Sequence, residues 1–208
     1  MRLNVEEIRL LIAVSASIRE VQVFKEVAKI SAFDGVVGYV DNHLVLREVV
    51  TSKWPNAEAV KVKSRVSARK AMGQYTHLIL IWDGEDLSQL LFEARLQRRK
   101  TKVIPVSVTR VVNKKLTNDF DVYIGRGSPW GNPYAISQGD GPDREEVIER
   151  YRGFFTEKIR TDEGFRSAVM GLKGLKLACF CKPQACHGDV IAEYLDSLPC
   201  EAEGDEGN

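Results

Sequence analysis

Between residues 8 and 108 the chain alternates short apolar runs with amphipathic segments, and this rhythm constrains the fold more than any other feature. The runs IRLLIAVS (8–15), FDGVVGYVD (33–41), EAVKVKS (58–64), THLILIWD (76–83) and TKVIPVSV (101–108) predict five strands. Between them, helices are predicted over 17–30, 44–54, 67–75 and 87–100. In the first of these, Val21, Phe24, Val27 and Ala28 recur at helical spacing, and the last carries cations where the helix dipole favours them. Strands alternating with helices imply a parallel sheet covered on both faces. Short connections and right-handed crossovers make that a five-stranded flavodoxin- or Rossmann-like α/β domain.

After residue 108 the rhythm breaks. The segment 125–142 is rich in glycine and proline and reads as an irregular loop. DREEVIERYRGFFTEKIR (143–160) predicts a helix whose apolar face holds Val147, Ile148, Tyr151, Phe154, Phe155 and Ile159. A shorter helix at 162–172, a strand at 175–181 and a last helix at 188–198 complete a smaller α/β domain. The expected division is 1–109, 110–198 and an acidic, disordered tail over 199–208.

Net charge is +1, so any contact with a polyanion must come from a local patch. RLQRRKTK (95–102) and the NKK at 113–115 are the cationic clusters. The apolar runs all fall short of the ~18–20 residues a membrane span needs, and the N-terminus does not read as a signal peptide. A cytoplasmic protein with reduced cysteines and no membrane partner is expected.

Three of the four cysteines and one of the three histidines crowd into ACFCKPQACHGD (178–189). On a strand, Cys179 and Cys181 point to the same side. Cys186 and His187 sit where the last helix begins, and strand ends feeding helix N-termini are where such sheets take ligands. Three readings stay open. Cys179, Cys181, Cys186 and His187 suit tetrahedral zinc chemically, although the spacing is not the usual two-pair arrangement. A thiolate at Cys186, its pKa lowered by the helix, could work with His187 and Asp189. Free cysteine is also a small, commonly buried apolar residue, and packing alone could account for the cluster.

A second candidate is YIGRGSPWGNPY (123–134). Arg126 offers a planar fork for phosphate, Trp130 a stacking surface, and Asn132 a donor–acceptor pair for a base edge. The alternative is a turn-rich connector whose tryptophan plugs the core.

Together, VVNKK, DVYIGRGSPWGNPYAI, REEVIERYRGFF and LKLACFCKPQACHGDVIAEYL resemble, in order, the phage and bacterial family catalogued as domain of unknown function 4326. The resemblance covers about residues 110–197. It singles out Arg126, Trp130, Gly131, Asn132, Pro133, Cys179, Cys181, Cys186, His187, Gly188 and Asp189 as a site, and it implies no particular reaction. IAVSASIRE and HLILIWDGEDLSQLLFEARLQRRKTKVIPV resemble nucleotide-handling Rossmannoids, the lysine-decarboxylase-like and nucleoside-deoxyribosyltransferase-like enzymes. That resemblance implies an acid acting at an N-glycosidic bond, here Glu93 with Asp83, and a ligand loop holding Ser15, Ser17 and Arg19. YVDNHLVL stands where such enzymes carry a glycine-rich phosphate loop, so an active and a degenerate first domain both remain open.

The expected function is an enzyme, a nucleotide or nucleoside hydrolase or transferase, processing nucleotides or bases of nucleic acid. The Cys/His site would lie in the second domain, with nucleotide binding or glycosidic cleavage in the first. The alternative is a non-catalytic module, stabilised by metal or packing, that binds nucleic acid or protein.

Overall fold

The computed structural model describes residues 7–135 and 142–198. The chain divides into two compact units, Met1–Val106 and Ser107–Asn208. The expected acidic tail lies outside the described residues.

In the first unit, β1 (Arg9–Val14), β2 (Val36–Val40), β3 (Glu58–Val60), β4 (His77–Trp82) and β5 (Lys100–Pro105) form one parallel sheet of order β3-β2-β1-β4-β5. The central strand, RLLIAV, is apolar and buried from Leu10 to Val14 because helices cover both its faces. The connecting helices are α1 (Glu20–Ala28), α2 (Leu44–Lys53), α3 (Arg65–Gln74) and α4 (Ser88–Leu96). Right-handed crossovers put α1 and α2 on one face and α3 and α4 on the other, and each pair packs together. Leu11, Ala13, Leu78 and Leu80 from the sheet meet Met72 and Leu90 in the core beneath α3 and α4. This is a Rossmann- or flavodoxin-like α/β arrangement.

Two local expectations are corrected. Helix α1 buries Gln22, Val23 and Val27, and leaves Val21 57% and Phe24 46% exposed. The sequence offers two apolar stripes, and Val23–Val27, one turn apart, is the one turned to the sheet. Helix α4 ends at Leu96, and Arg98 just beyond it has a left-handed φ of 54°. Arg98 and Arg99 therefore lie outside the last helical turn, which holds Arg95.

The second unit is built on three parallel strands of order β6-β8-β7: β6 (Arg110–Asn113), β7 (Val122–Tyr123) and β8 (Lys176–Cys179). Here β6 and β7 fall where the sequence predicts no strands. Helices α5 (Arg144–Thr161), α6 (Glu163–Met170) and α7 (His187–Ser197) pack with one another. Tyr151, Phe155, Phe165, Leu177, Ile191 and Leu195 form the core. Asp143 caps α5 by accepting the Glu146 N–H, and Asp162 caps α6 by accepting that of Phe165. Inside this core the Asp196 carboxylate takes the Thr109 N–H at 2.9 Å. Among the described residues no helix is long and apolar enough to cross a membrane.

Candidate functional site

Because β6, β7 and β8 run parallel, their carboxyl ends open at one edge of the sheet, the edge at which such architectures take ligands. A cavity of about 290 Å³ lies there. It falls at the lower end of the roughly 300–1,000 Å³ range of small-molecule sites. Cys179, Cys181, Cys186 and His187 all line it, as do Arg126, Asn132, Tyr134 and Arg144. The cysteine–histidine corner and the arginine–asparagine loop thus share one hollow.

The sulfurs cluster. Cys179 ends β8, and Cys181 lies just beyond it, its N–H donating to the Cys179 sulfur at 3.4 Å. Cys186 stands at the N-cap of α7, its sulfur 3.5 Å from that of Cys179. Cys179 and Cys186 are buried and Cys181 is half-buried. Hydrogen bonds from the Cys181 and Cys186 thiols hold the Cys179 thiol far below its ordinary range, against burial, which raises it. The same bonds, with burial, push Cys181 and Cys186 up, while the Arg144 guanidinium pulls Cys181 partly back. The protonation of the three sulfurs is therefore linked, with Cys179 favoured as the thiolate and Cys181 and Cys186 as its donors.

His187 is buried, and its Nε2 lies 2.8 Å from the Ile124 carbonyl. A carbonyl can only accept, so Nε2 carries a proton and donates it there. Among the described residues, no group of three or more His, Cys, Asp or Glu side chains is placed to hold a metal ion. Asp189 has a structural task. One carboxylate oxygen accepts the Cys186 N–H at 2.9 Å and the other pairs with Lys182 at 2.6 Å. It closes the first turn of α7 and fixes Cys186.

In the 123–134 loop, Asn132 accepts the Tyr134 N–H through Oδ1, leaving its amide group to donate. Arg126 is exposed, its guanidinium 3.4 Å from the Tyr134 carbonyl. Gly131 is required by crowding, since a Cβ there would stand 2.7 Å from the Gly125 carbonyl oxygen. Trp130 does not take the stacking role expected of it. It packs on the core, and its carbonyl accepts the Tyr151 hydroxyl at 2.8 Å. The exposed aromatic ring at the cavity is Phe180, 50% exposed. Strand alternation would send it away from the cysteines, but it lies past the end of β8. Arg144, the first residue of α5, also lines the cavity and carried no signal beyond its place at a helix start.

The first unit brings Ser15, Ser17 and Asp83 together and commits Glu93 to the arginines of α3. Glu93 is fully buried, and takes Arg65 at 2.9 Å and Arg69 at 3.5 Å from α3. The Arg65 hydrogen bond, opposed by desolvation, holds its carboxyl below the usual range. Glu93 thus joins α3 to α4. Asp83, at the end of β4, accepts the Ser17 hydroxyl and the Glu85 N–H. Ser15 is buried and accepts the Asp83 N–H, and Asp86 takes the Ala16 N–H at 2.8 Å. Arg19 is the N-cap residue of α1 and makes no side-chain cap. Two carboxylates therefore stand where β1 and β4 end, at the switch point of the sheet, and negative charge there opposes phosphate. Replacing Glu93 by alanine is expected to lower the melting temperature. The stability Glu93 lends is full above the unfolded carboxyl pKa of about 4.3 and declines as pH falls below it. The variant's deficit should accordingly shrink in acid, which melting curves at several pH values would measure.

The family model described as "Domain of unknown function (DUF4326)" matches residues 106–197. An uncharacterized 12.4 kDa protein from the nrdA-td intergenic region of Enterobacteria phage T4 is 42% identical over 89 residues. That match covers 43% of this chain and 79% of the phage protein. No solved structure matches the chain. The match spans the whole cavity-bearing part of the second unit, cysteines and arginine loop included, and the chain belongs to the DUF4326 family.

Proposed function

We propose that the second unit is an enzyme, a hydrolase or transferase, that acts on a nucleotide or a base through a cysteine nucleophile. The observation that carries this reading is the common cavity, in which three coupled sulfurs face Arg126, Arg144 and Asn132. The two guanidinium groups suit a phosphate, and the free amide group of Asn132 suits an acceptor on a base edge. Cys181 is the sulfur a ligand reaches. Its proton passes to the Cys179 thiolate as Cys181 attacks an electrophilic carbon, the bond from that carbon to the leaving amine or base breaks, and the departing group takes the proton from Cys179. Water then releases the intermediate in a hydrolase, or a second acceptor does so in a transferase. Thiols this close suit a reducing compartment such as the cytoplasm.

In the first unit, Asp83 and Asp86 suit the hydroxyls of a nucleoside better than a phosphate. Glu93, sealed between two arginines, is left out of any glycosidic chemistry. A thermal-shift screen of nucleotides tests the reading. A ligand at a hundredfold its dissociation constant should add about 2.7 kcal/mol of stability, and Arg144→Ala should remove most of that gain. A flat response across nucleoside mono-, di- and triphosphates would contradict it.

A further inference from the structure

We propose that the ligand of this cavity is a base within a single strand of nucleic acid, carried by an aromatic and cationic rim beside the cavity mouth. This rests on the reading of the cavity as a nucleotide site and names its substrate class. The rim follows from the strand ends. Lys114 and Lys115 leave the end of β6, Tyr123 ends β7, and Phe180 follows β8. The Lys114 N–H donates to the Cys179 carbonyl at 2.8 Å, which ties these exits together.

Tyr123 and Phe180 both line the cavity, and their rings meet edge-on at 5.8 Å. The Lys114 ammonium lies 4.5 Å from the centre of the Tyr123 ring, and that of Lys115 lies 5.9 Å from Phe180. The neighbouring carboxylates are engaged elsewhere. Asp119 pairs with Lys176 at 2.7 Å, Asp121 takes the Lys176 N–H, and Asp189 holds Lys182.

A mononucleotide needs only the cavity, and gains nothing from the two lysines beyond its lining or from the exposed half of the Phe180 ring. Adjoining nucleotides of a strand do, since their bases can stack on Phe180 while their phosphates meet Lys114, Lys115 and Arg126. A duplex keeps its base faces stacked and closed to the ring.

Fluorescence anisotropy on the full chain tests this with short labelled single strands of DNA and RNA, the corresponding duplexes, and competing mononucleotides. A single strand, of either sugar, should bind at least about tenfold tighter than duplex or mononucleotide. Phe180→Ala should weaken it by about five- to a hundredfold, the range of one base–aromatic stack. Lys114→Glu with Lys115→Glu should flatten the salt dependence, which for single strands falls by about 0.7 log units per phosphate contact. These changes are on exposed side chains, and unchanged melting of the free variants checks folding. If strands bind no tighter than mononucleotides that still stabilise the protein, the rim proposal is overturned and the cavity reading stands. If neither binds, both fall. Equal binding of duplex and single strand, indifferent to Phe180→Ala, would also overturn the rim.

Discussion

Cys181→Ser is expected to abolish most iodoacetamide labelling of the native protein at pH 6, a loss of about tenfold or more in rate. An isolated thiol with a pKa near 8.5 is less than about 1% ionised there and reacts slowly. In this protein the Cys181 and Cys186 thiols donate to the Cys179 sulfur and hold its pKa below the ordinary range, so a thiolate there can take the Cys181 proton during attack. Cys181, the half-buried member, is the sulfur a reagent can meet. Serine in its place removes the attacking atom and leaves Cys179 and Cys186 buried. Peptide mass spectrometry after brief labelling would locate the adduct. Equal labelling of the variant would remove Cys181 from the nucleophile's role.

The second large effect is on folding. Tyr151 is fully buried at the centre of the second unit, in contact with Phe154, Phe155 and His187. Its hydroxyl holds the Trp130 carbonyl, and burial pushes its phenol well above the ordinary range, so it stays a donor at physiological pH. Tyr151→Phe leaves that carbonyl without its donor and should cost about 1–3 kcal/mol. Tyr151→Ala adds a cavity and should cost about 3–5 kcal/mol, a large share of the 5–15 kcal/mol that keeps a typical domain folded. Urea unfolding of the three proteins would rank them. Because Trp130 is anchored by this bond, even Tyr151→Phe should loosen the loop that presents Arg126 and Asn132, and weaken nucleotide binding.

The sheet of the first unit is legible in the sequence because its inner strands β1, β2 and β4 are largely buried and read as apolar runs, while the edges β3 and β5 show as short alternating segments. The same logic hides β6 and β7. They flank β8 as edges, four and two residues long and only half-buried, so no apolar run marks them. Helix α1 shows a different limit. EVQVFKEVA carries two apolar stripes, and only docking on the sheet selects Val23 and Val27 over Val21 and Phe24.

At the candidate site, the cysteines and Arg126 stand out as residue types crowded into short segments. Arg144 and Phe180 do not, since each reaches the cavity through tertiary placement alone. Trp130 misleads because an exposed stacking ring and a core plug are the same residue in the same loop. Glu93 misleads in a similar way. Its four-residue neighbourhood suggests a solvated helix face or an acid poised for catalysis, whereas its partners, Arg65 and Arg69, come from the preceding helix.

The central claim is that Cys179, Cys181 and Cys186 act as one hydrogen-bonded unit, reached through Cys181 and with the Cys179 thiol held below its ordinary range, and the pH dependence of alkylation tests it most directly. Between pH 5.5 and 8.0 the labelling rate of Cys181 should change by less than about twofold, whereas an independent thiol would gain about two hundredfold. Cys179→Ala should restore the steep rise. A native protein whose Cys181 shows the steep profile of a free thiol, or whose three sulfurs resist labelling until unfolded, would contradict the account.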